Sequence, residues 1–512
     1  MWNYGWDGYN FGGYGGMIGN ARLLVRQSAW IQDSVHVGCK DTGGGSWQCA
    51  VKFTVAGRVS AARVSLAICE WGGGGGAGCI VGAQAAAVNS SRMTLNLTIP
   101  HAQLWAPGTQ AAQAALYVAN LTLSVGGSGS PPPAMRSTRF GVRSLDTNGP
   151  RILFNGEPLF LRGYGDDGQY GFSGAPPMEK SFYLAQLSGM RALGFNFIRF
   201  HTHSMPDVFH EAADELGFLC NPEFAMSYRV GCPFPGCVYN EEVHATYIRS
   251  FASVVHRRAH HPSVFGWVLS NEIGFSTAPF AELYHFANEH DPERPCWFAD
   301  GSIPIAGMNL TALACRDGRD DADGYCFVDV WVPCSNWGKT PYAPPYVLPE
   351  FIGSGVPVAE LPVPMLLHEA FDARTFPRLE SNLQAFEGGM LKAGAWLNGS
   401  IDRMRALGLL AENADWALAS EKRYNLHMKT YLESYRLDPA VSGYEVSNCR
   451  PASLQLLSQF RRDDSDHTIV LDVLVVARLR LDRRVEWPRR RACEQPQSKA
   501  GHQQSNAPKR SE

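Results

Sequence analysis

The sequence lacks several signatures, and each absence closes off a class of function. No run approaches the ~20 consecutive apolar residues of a membrane-spanning helix. Met1 is followed by a Gly/Tyr/Trp-rich segment without a charged start and apolar stretch, so no signal peptide is expected. The cysteines show no paired C-x-x-C spacing, and no structural zinc site is expected. No G-x-G-x-x-G follows an apolar strand, and the pentaglycine at 72–76 is not followed by the Lys-Ser/Thr of a phosphate loop; nucleotide-dependent chemistry is disfavoured. Charge is also scarce: 18% of residues are charged and the net charge is −3, which supplies no pull toward nucleic acid or an anionic membrane.

What is present fits a globular chain of several domains. Its 512 residues exceed what one core organises, 45% are hydrophobic, and 52 glycines with 32 prolines provide many turns. The pairs Cys39/Cys49, Cys69/Cys79 and Cys232/Cys237 have the spacing of local disulfides. Five N-x-[ST] triplets, at Asn89, Asn96, Asn120, Asn309 and Asn398, permit glycosylation in a secretory, lysosomal or vacuolar compartment without requiring it, and localisation stays open.

Three rhythms divide the chain. After a turn-rich segment at 1–28, residues 29–145 carry short alternating strands such as "QCAVKFTV", "ARVSLAIC" and "RMTLNLTI"; six of these predict a small β-sandwich. From 146 to 446, short apolar strands alternate with amphipathic segments, including "EKSFYLAQLSGMRALG", which places Phe182, Leu184, Leu187, Met190 and Leu193 near one face. Seven such strands, with an eighth at "AVSGYEV", predict a (β/α)₈ barrel, incomplete at its eighth strand. Residues 447–512 are Arg-rich, then polar, and read as an irregular or disordered basic tail. The acidic loop "DGRDDADG" at 317–324 fails as a calcium loop at its first and last ligand positions.

Polar residues collect where the barrel strands end. Asp166 and Asp167 follow the first, Arg199, His201 and His203 the second, Glu223 the third, Asn271 and Glu272 the fourth, Asp300 the fifth, and His368 and Glu369 the seventh. In a parallel barrel all these ends share one face, which is where such folds hold their chemistry. The stretch "HPSVFGWVLSNE" shows the logic: it is apolar while crossing the interior and polar where it emerges. Two carboxylates across one barrel mouth can divide the work of glycoside cleavage, one donating a proton and the other attacking. Retention needs them about 5 Å apart, inversion about 6.5–9.5 Å. Glu272 and Glu369 are the nominated pair.

These motifs, in this order, resemble glycoside hydrolase family 2. "LWAPGTQAAQAALYVANLTL" is similar to the end of the family's immunoglobulin-like domain, and "RFGVRSL" with "ILFNGEPLFLRGYGDD" to the entrance of its barrel. "NFIRFHTHSMPDVFHEAADELGFL" resembles the second strand, "HPSVFGWVLSNE" the acid/base signature and "PVPMLLHEAF" the nucleophile strand. The resemblance covers residues 10–446 and implies a retaining exo-β-glycosidase of β-galactosidase or β-mannosidase type, with a carbohydrate substrate and no organic cofactor. It makes Glu272 the general acid/base, Glu369 the nucleophile, Asn271 the partner of the sugar 2-hydroxyl and Arg199 the cation beneath the nucleophile. His203 and His201 compete for a sugar contact, since the family's histidine falls where Thr202 stands. Asp166 and Asp167 fall where relatives often carry Asn and His, and the resemblance suggests a role in sugar specificity there. A homo-oligomer is compatible with the sequence.

The departures are as specific. Only the last strand of the family's amino-terminal jelly roll is recognisable, within residues 1–28. The eighth strand turns into "SNCRPAS" instead of a Trp-bearing run. No Asn-x-Lys pair of the kind that holds a glucuronide carboxylate is found. A carbohydrate-binding protein that keeps the fold without turnover is the alternative.

Overall fold

The computed structural model describes residues 21, 23–57, 61–72, 79–108, 115–126, 132–147, 149–166, 175–201, 203–224, 241–271, 277–301, 330, 351–352, 356–357, 363–370, 375–386, 395–439 and 441–446. The expectations for the jelly-roll remnant (apart from Ala21 and Leu23–Ser28), the pentaglycine, Cys232/Cys237, the 317–324 loop and the tail lie outside them. Of the remnant's described residues, Leu23 and Val25 are almost fully exposed.

The first unit is a two-sheet sandwich. One sheet orders β1 (Ala29–Asp41), β2 (Trp47–Gly57) and β5 (Arg92–Ile99). The other orders β4 (Cys79–Ala87), β3 (Ala62–Glu70), β6 (Tyr117–Val125) and β7 (Ala134–Phe140). All pairings are antiparallel. Alternation builds it: in β2, Trp47, Cys49, Val51, Phe53 and Val55 face inward while Gln48 and Lys52 face out. Cys39–Cys49 joins β1 to β2 and Cys69–Cys79 joins β3 to β4, so two of the three expected pairs form across directly paired strand positions. Strand β4 was not expected; "CIVGAQAAA" is too rich in alanine and glycine to carry a strand signal.

A small antiparallel sheet of β8 (Leu145–Asp146), β9 (Ile152–Phe154) and β10 (Glu157–Leu159) leads into the second unit. There, β11 (Leu161–Asp166), α1 (Lys180–Ala192), β12 (Phe197–Phe200), α2 (Asp207–Leu216), β13 (Leu219–Pro222), α3 (Glu241–Arg258), β14 (Trp267–Val268), α4 (Thr277–His290) and β15 (Cys296–Trp297) alternate. After a short hairpin of β16 (Phe351–Ile352) and β17 (Val356–Pro357) come β18 (Met365–Leu367), α5 (Leu379–Ala385), α6 (Ala395–Ala406), α7 (Asn413–Leu437) and β19 (Val441–Val446). A parallel sheet orders β13-β12-β11-β19-β18. Single parallel bridges, Cys220 to Val264 and Glu223 to Val268, carry the array on to the β14–β15 pair.

This is the strand order of a TIM barrel, with the eighth-strand segment pairing on both sides, to β11 and to β18. Among the described residues no pairing joins β15 to β18, so the cylinder is not closed there. The sixth strand expected at "YCFVDVW" falls in that gap, where only Val330 is described. Unlike the sandwich strands, β12, β13 and β19 are buried at every residue, as strands covered on both faces must be. Two glycines permit the close approach: a Cβ on Gly163 would meet the Tyr444 carbonyl at 2.8 Å, and one on Gly443 the Leu161 carbonyl at 2.8 Å. The face of α1 is rotated from expectation. Leu187 and Met190 are buried as expected, but Tyr183 and Gln186 complete the face, with Phe182 and Leu184 only half-buried.

Polar ties lock the two units. Trp105 Nε1 donates to the Asp214 carbonyl at 2.8 Å, and Arg139 reaches Glu215 at 2.7 Å and Asp214 at 3.3 Å. Arg143 Nη2 donates to the Val264 carbonyl at 2.8 Å. Asp214, fully buried, also takes hydrogen bonds from the backbone and hydroxyl of Ser263 and from His261 Nδ1 at 2.7 Å. Arg139 and these donors together outweigh the cost of its burial and hold its carboxyl below the usual range.

Candidate active site

Register brings the polar strand ends to one level. Gly165 of β11 is aligned with Arg199 of β12, and Arg199 with Asn221 of β13. Asn271 bridges Asp300 in the same parallel sense. With β18 and β19 running in the same direction, Glu369 and Glu445 approach from the other side.

Arg199 is the hub of the cluster. Its Nε donates to Asp300 Oδ2 at 2.8 Å and to Glu223 Oε2 at 3.0 Å. Its Nη2 donates to Glu223 Oε2 at 2.8 Å and to Asn271 Oδ1 at 2.5 Å. Its Nη1 faces two further carboxylates, Glu369 Oε1 at 3.6 Å and Glu445 Oε2 at 3.7 Å. Asn221 Nδ2 and Trp297 Nε1 donate to the two oxygens of Asp300 at 3.2 and 2.8 Å, fixing that carboxylate.

Burial opposes the charge on Arg199, but Glu223, Asp300, Glu445 and Glu369 outweigh it and hold the guanidinium well above its ordinary range. Among the described residues, one guanidinium faces four carboxyl groups, three of them buried. Burial, reinforced by the hydrogen-bonded neighbour Asp300, pushes the Glu223 carboxyl well above the usual range, while Arg199 pulls it down. His201 and His368 are driven well below the usual imidazole range, first by burial and then by Arg199, and are neutral.

Accessibility separates the four acids. The side chains of Glu223, Asp300 and Glu445 are 0–2% exposed, whereas that of Glu369 is 30% exposed. Glu369 alone among them combines contact with the buried cation and reach toward solvent. Asn271 is buried beside the same cation: Oδ1 is held by Arg199, while its Nδ2 has no hydrogen-bond partner among the described residues.

The structure therefore brings Arg199, Asn271 and Glu369 together. His201 neighbours the hub through its effect on His368 and its response to Arg199. His203 is buried on the following loop, its Nδ1 within 3.0 Å of the His201 carbonyl and its Nε2 without a partner among the described residues. Asp166 is buried at the end of β11, and its carbonyl accepts the His201 amide at 2.9 Å. Glu272, the nominated acid/base, and Asp167 lie outside the described residues. Sequence reasoning missed Glu445. Its signal was a single acid inside the apolar run "AVSGYEV", at the end of a strand read only for its fold.

Comparison with known proteins points the same way. Residues 146–317 match the family described as "Glycosyl hydrolases family 2, TIM barrel domain". The chain is 24% identical over 179 residues to a Vibrio cholerae β-galactosidase, covering 35% of this chain and 17% of that enzyme. In fold it is similar to a Parabacteroides merdae β-glucuronidase, with TM-score 0.53 and 17% identity over 82% of this chain and 47% of that one. A Bifidobacterium dentium β-glucuronidase gives TM-score 0.54 and 15% identity, over 82% of this chain and 60% of that one. The chain thus spans about half the length of these solved relatives, and its aligned part less than a fifth of the Vibrio enzyme.

Proposed function

We propose that the chain is a member of glycoside hydrolase family 2 and, on that premise, a retaining exo-β-glycosidase acting on terminal β-linked galactose- or mannose-type sugars. The observation that carries the reading is Glu369: a solvent-reaching carboxylate held 3.6 Å from a buried guanidinium at the mouth of the parallel strand array. The seven-stranded sandwich stands in this reading for the immunoglobulin-like domain, residues 29–145. Residues 1–28 stand for the remnant of a jelly roll, 146–446 for the catalytic domain and 447–512 for a basic tail.

Glu369, ionised beside Arg199, attacks the anomeric carbon from the face opposite the leaving oxygen. A C1–carboxylate ester forms as the glycosidic C–O bond breaks, and Glu272 gives its proton to the departing oxygen. Water then attacks C1, loses a proton to Glu272, and frees Glu369 with the β configuration restored. Asn271 offers its open Nδ2 to the 2-hydroxyl, a contact that strengthens as positive charge grows at C1. Arg199 lowers the cost of keeping Glu369 ionised in a partly dry site. His203, His201 and Asp166 line the sugar pocket in this scheme.

The test uses aryl β-galactosides and β-mannosides with the wild type, Glu272→Gln and Glu369→Gln. Both variants are expected to lose about 10³-fold or more in kcat. Adding azide to Glu369→Gly should restore turnover and yield the α-glycosyl azide. Retained activity in both Gln variants, or sugar binding by the wild type without hydrolysis, contradicts the proposal.

A further inference from the structure

Glu369 has an unusual backbone. Its φ of +44° lies in the left-handed region, which a long-chain non-glycine residue enters only when its surroundings hold it there. Three hydrogen bonds grip this turn, and two come from a single residue of the neighbouring strand. The Glu369 amide donates to Glu445 Oε2 at 3.0 Å, and the Ala370 amide donates to the Glu445 carbonyl at 2.7 Å. From the other side, the Tyr435 hydroxyl of α7 donates to the Ala370 carbonyl. The oxygen that takes the Glu369 amide also lies 3.7 Å from Arg199 Nη1, the nitrogen that faces the Glu369 carboxylate.

The geometry points to Glu445 as a positioning residue for Glu369. Its buried carboxylate gathers the main chain of Glu369 and the guanidinium of Arg199 onto one oxygen, and so aims the Glu369 carboxylate at the cleft. The strained turn costs folding free energy, which two acceptors on one strand offset. Glu445 itself, 2% exposed, does not reach substrate; it acts through the residue it holds. Alanine in its place keeps the carbonyl bond to Ala370 but removes the grip on the Glu369 amide. Glutamine keeps an amide oxygen in the same place and loses only the charge.

The catalytic part of this inference rests on Glu369 being the nucleophile, so the tie and its consequence are measured separately. Hydrogen exchange read on the peptide carrying residues 369 and 370 needs no turnover. Glu445→Ala should exchange the Glu369 amide about 10-fold faster than the wild type, the equivalent of one lost hydrogen bond, and Glu445→Gln should stay within about threefold. Equal protection in all three proteins overturns the proposal, whatever the enzyme's chemistry. With 4-nitrophenyl β-D-galactopyranoside, Glu445→Ala should lower kcat about 100-fold with KM within about threefold, because alignment and not binding is lost. Glu445→Gln should recover at least about 10-fold of that loss. A kcat per folded molecule unchanged in Glu445→Ala contradicts the positioning role. A nucleophile other than Glu369 would instead appear as covalent labelling elsewhere in the wild type, leaving the exchange result standing.

Discussion

The sandwich and the barrel spend their buried positions on opposite kinds of side chain. In the sandwich core, Val51, Val64, Leu66, Ile68 and Leu121 pack without a buried ionised group among them. In the barrel, the level of Arg199 is given to a guanidinium, three buried carboxyl groups and two amides. Replacing such a network by apolar residues of similar volume commonly stabilises a protein. The network sits at the polar ends of the parallel strands and has no counterpart among the described residues of the sandwich core, which is the contrast the proposed chemistry accounts for.

The sharpest break of this contrast is Arg199→Met. It leaves Glu223, Asp300 and Glu445 without their cation, and should cost about 3–5 kcal/mol in denaturant unfolding and at least about 100-fold in kcat/KM. The matching change in the sandwich, Leu66→Ala, should cost about 2–5 kcal/mol through the cavity it opens, with kcat/KM per folded molecule unchanged. A comparable loss of activity in both would erase the distinction between the regions.

The seam between them offers a smaller effect that depends on pH. Glu293 lies against β1, where a Cβ on Gly38 would meet its Oε1 at 2.2 Å. Burial, with help from Asp291, raises its carboxyl from 4.5 to about 7. The folded chain therefore keeps a proton there that the unfolded chain releases above about 4.5; this stability is complete below that pH and is lost as pH climbs to about 7. His36 across the seam runs the other way. Burial lowers it to about 4, so its contribution is complete above about 6.5 and lost as pH falls toward 4. Glu293→Gln should flatten the alkaline side, gaining about 1–3 kcal/mol relative to wild type at pH 8 against pH 4.5. Thermal melts across that range check it, and an unchanged pH slope would remove Glu293 from the seam's proton balance.

Sequence made these two regions legible to different degrees. The sandwich announced itself through period-two alternation, except at β4, where small residues gave the pattern no contrast. The barrel strands announce themselves as apolar runs stopping on polar groups, which is why Arg199, Asn271 and Glu369 stand out in the sequence alone. What pattern alone could not supply was register. The shared level of β12, β13 and β19 decides that Glu223, Asp300 and Glu445 converge on one guanidinium, and that Glu369 is the acid left facing out. The α1 face shows the same limit: a one-residue rotation exchanged Phe182 and Leu184 for Tyr183 and Gln186.

The central claim, that the exposed acid on the buried arginine is what bonds to sugar carbon, is read most directly by covalent trapping. Wild-type protein incubated with 2,4-dinitrophenyl 2-deoxy-2-fluoro-β-D-galactopyranoside should gain one fluorosugar, mapped by peptide mass spectrometry to Glu369. A label carried by Glu223, Glu445 or any other acid, or hydrolysis that releases the inverted anomer with no label, would contradict the account.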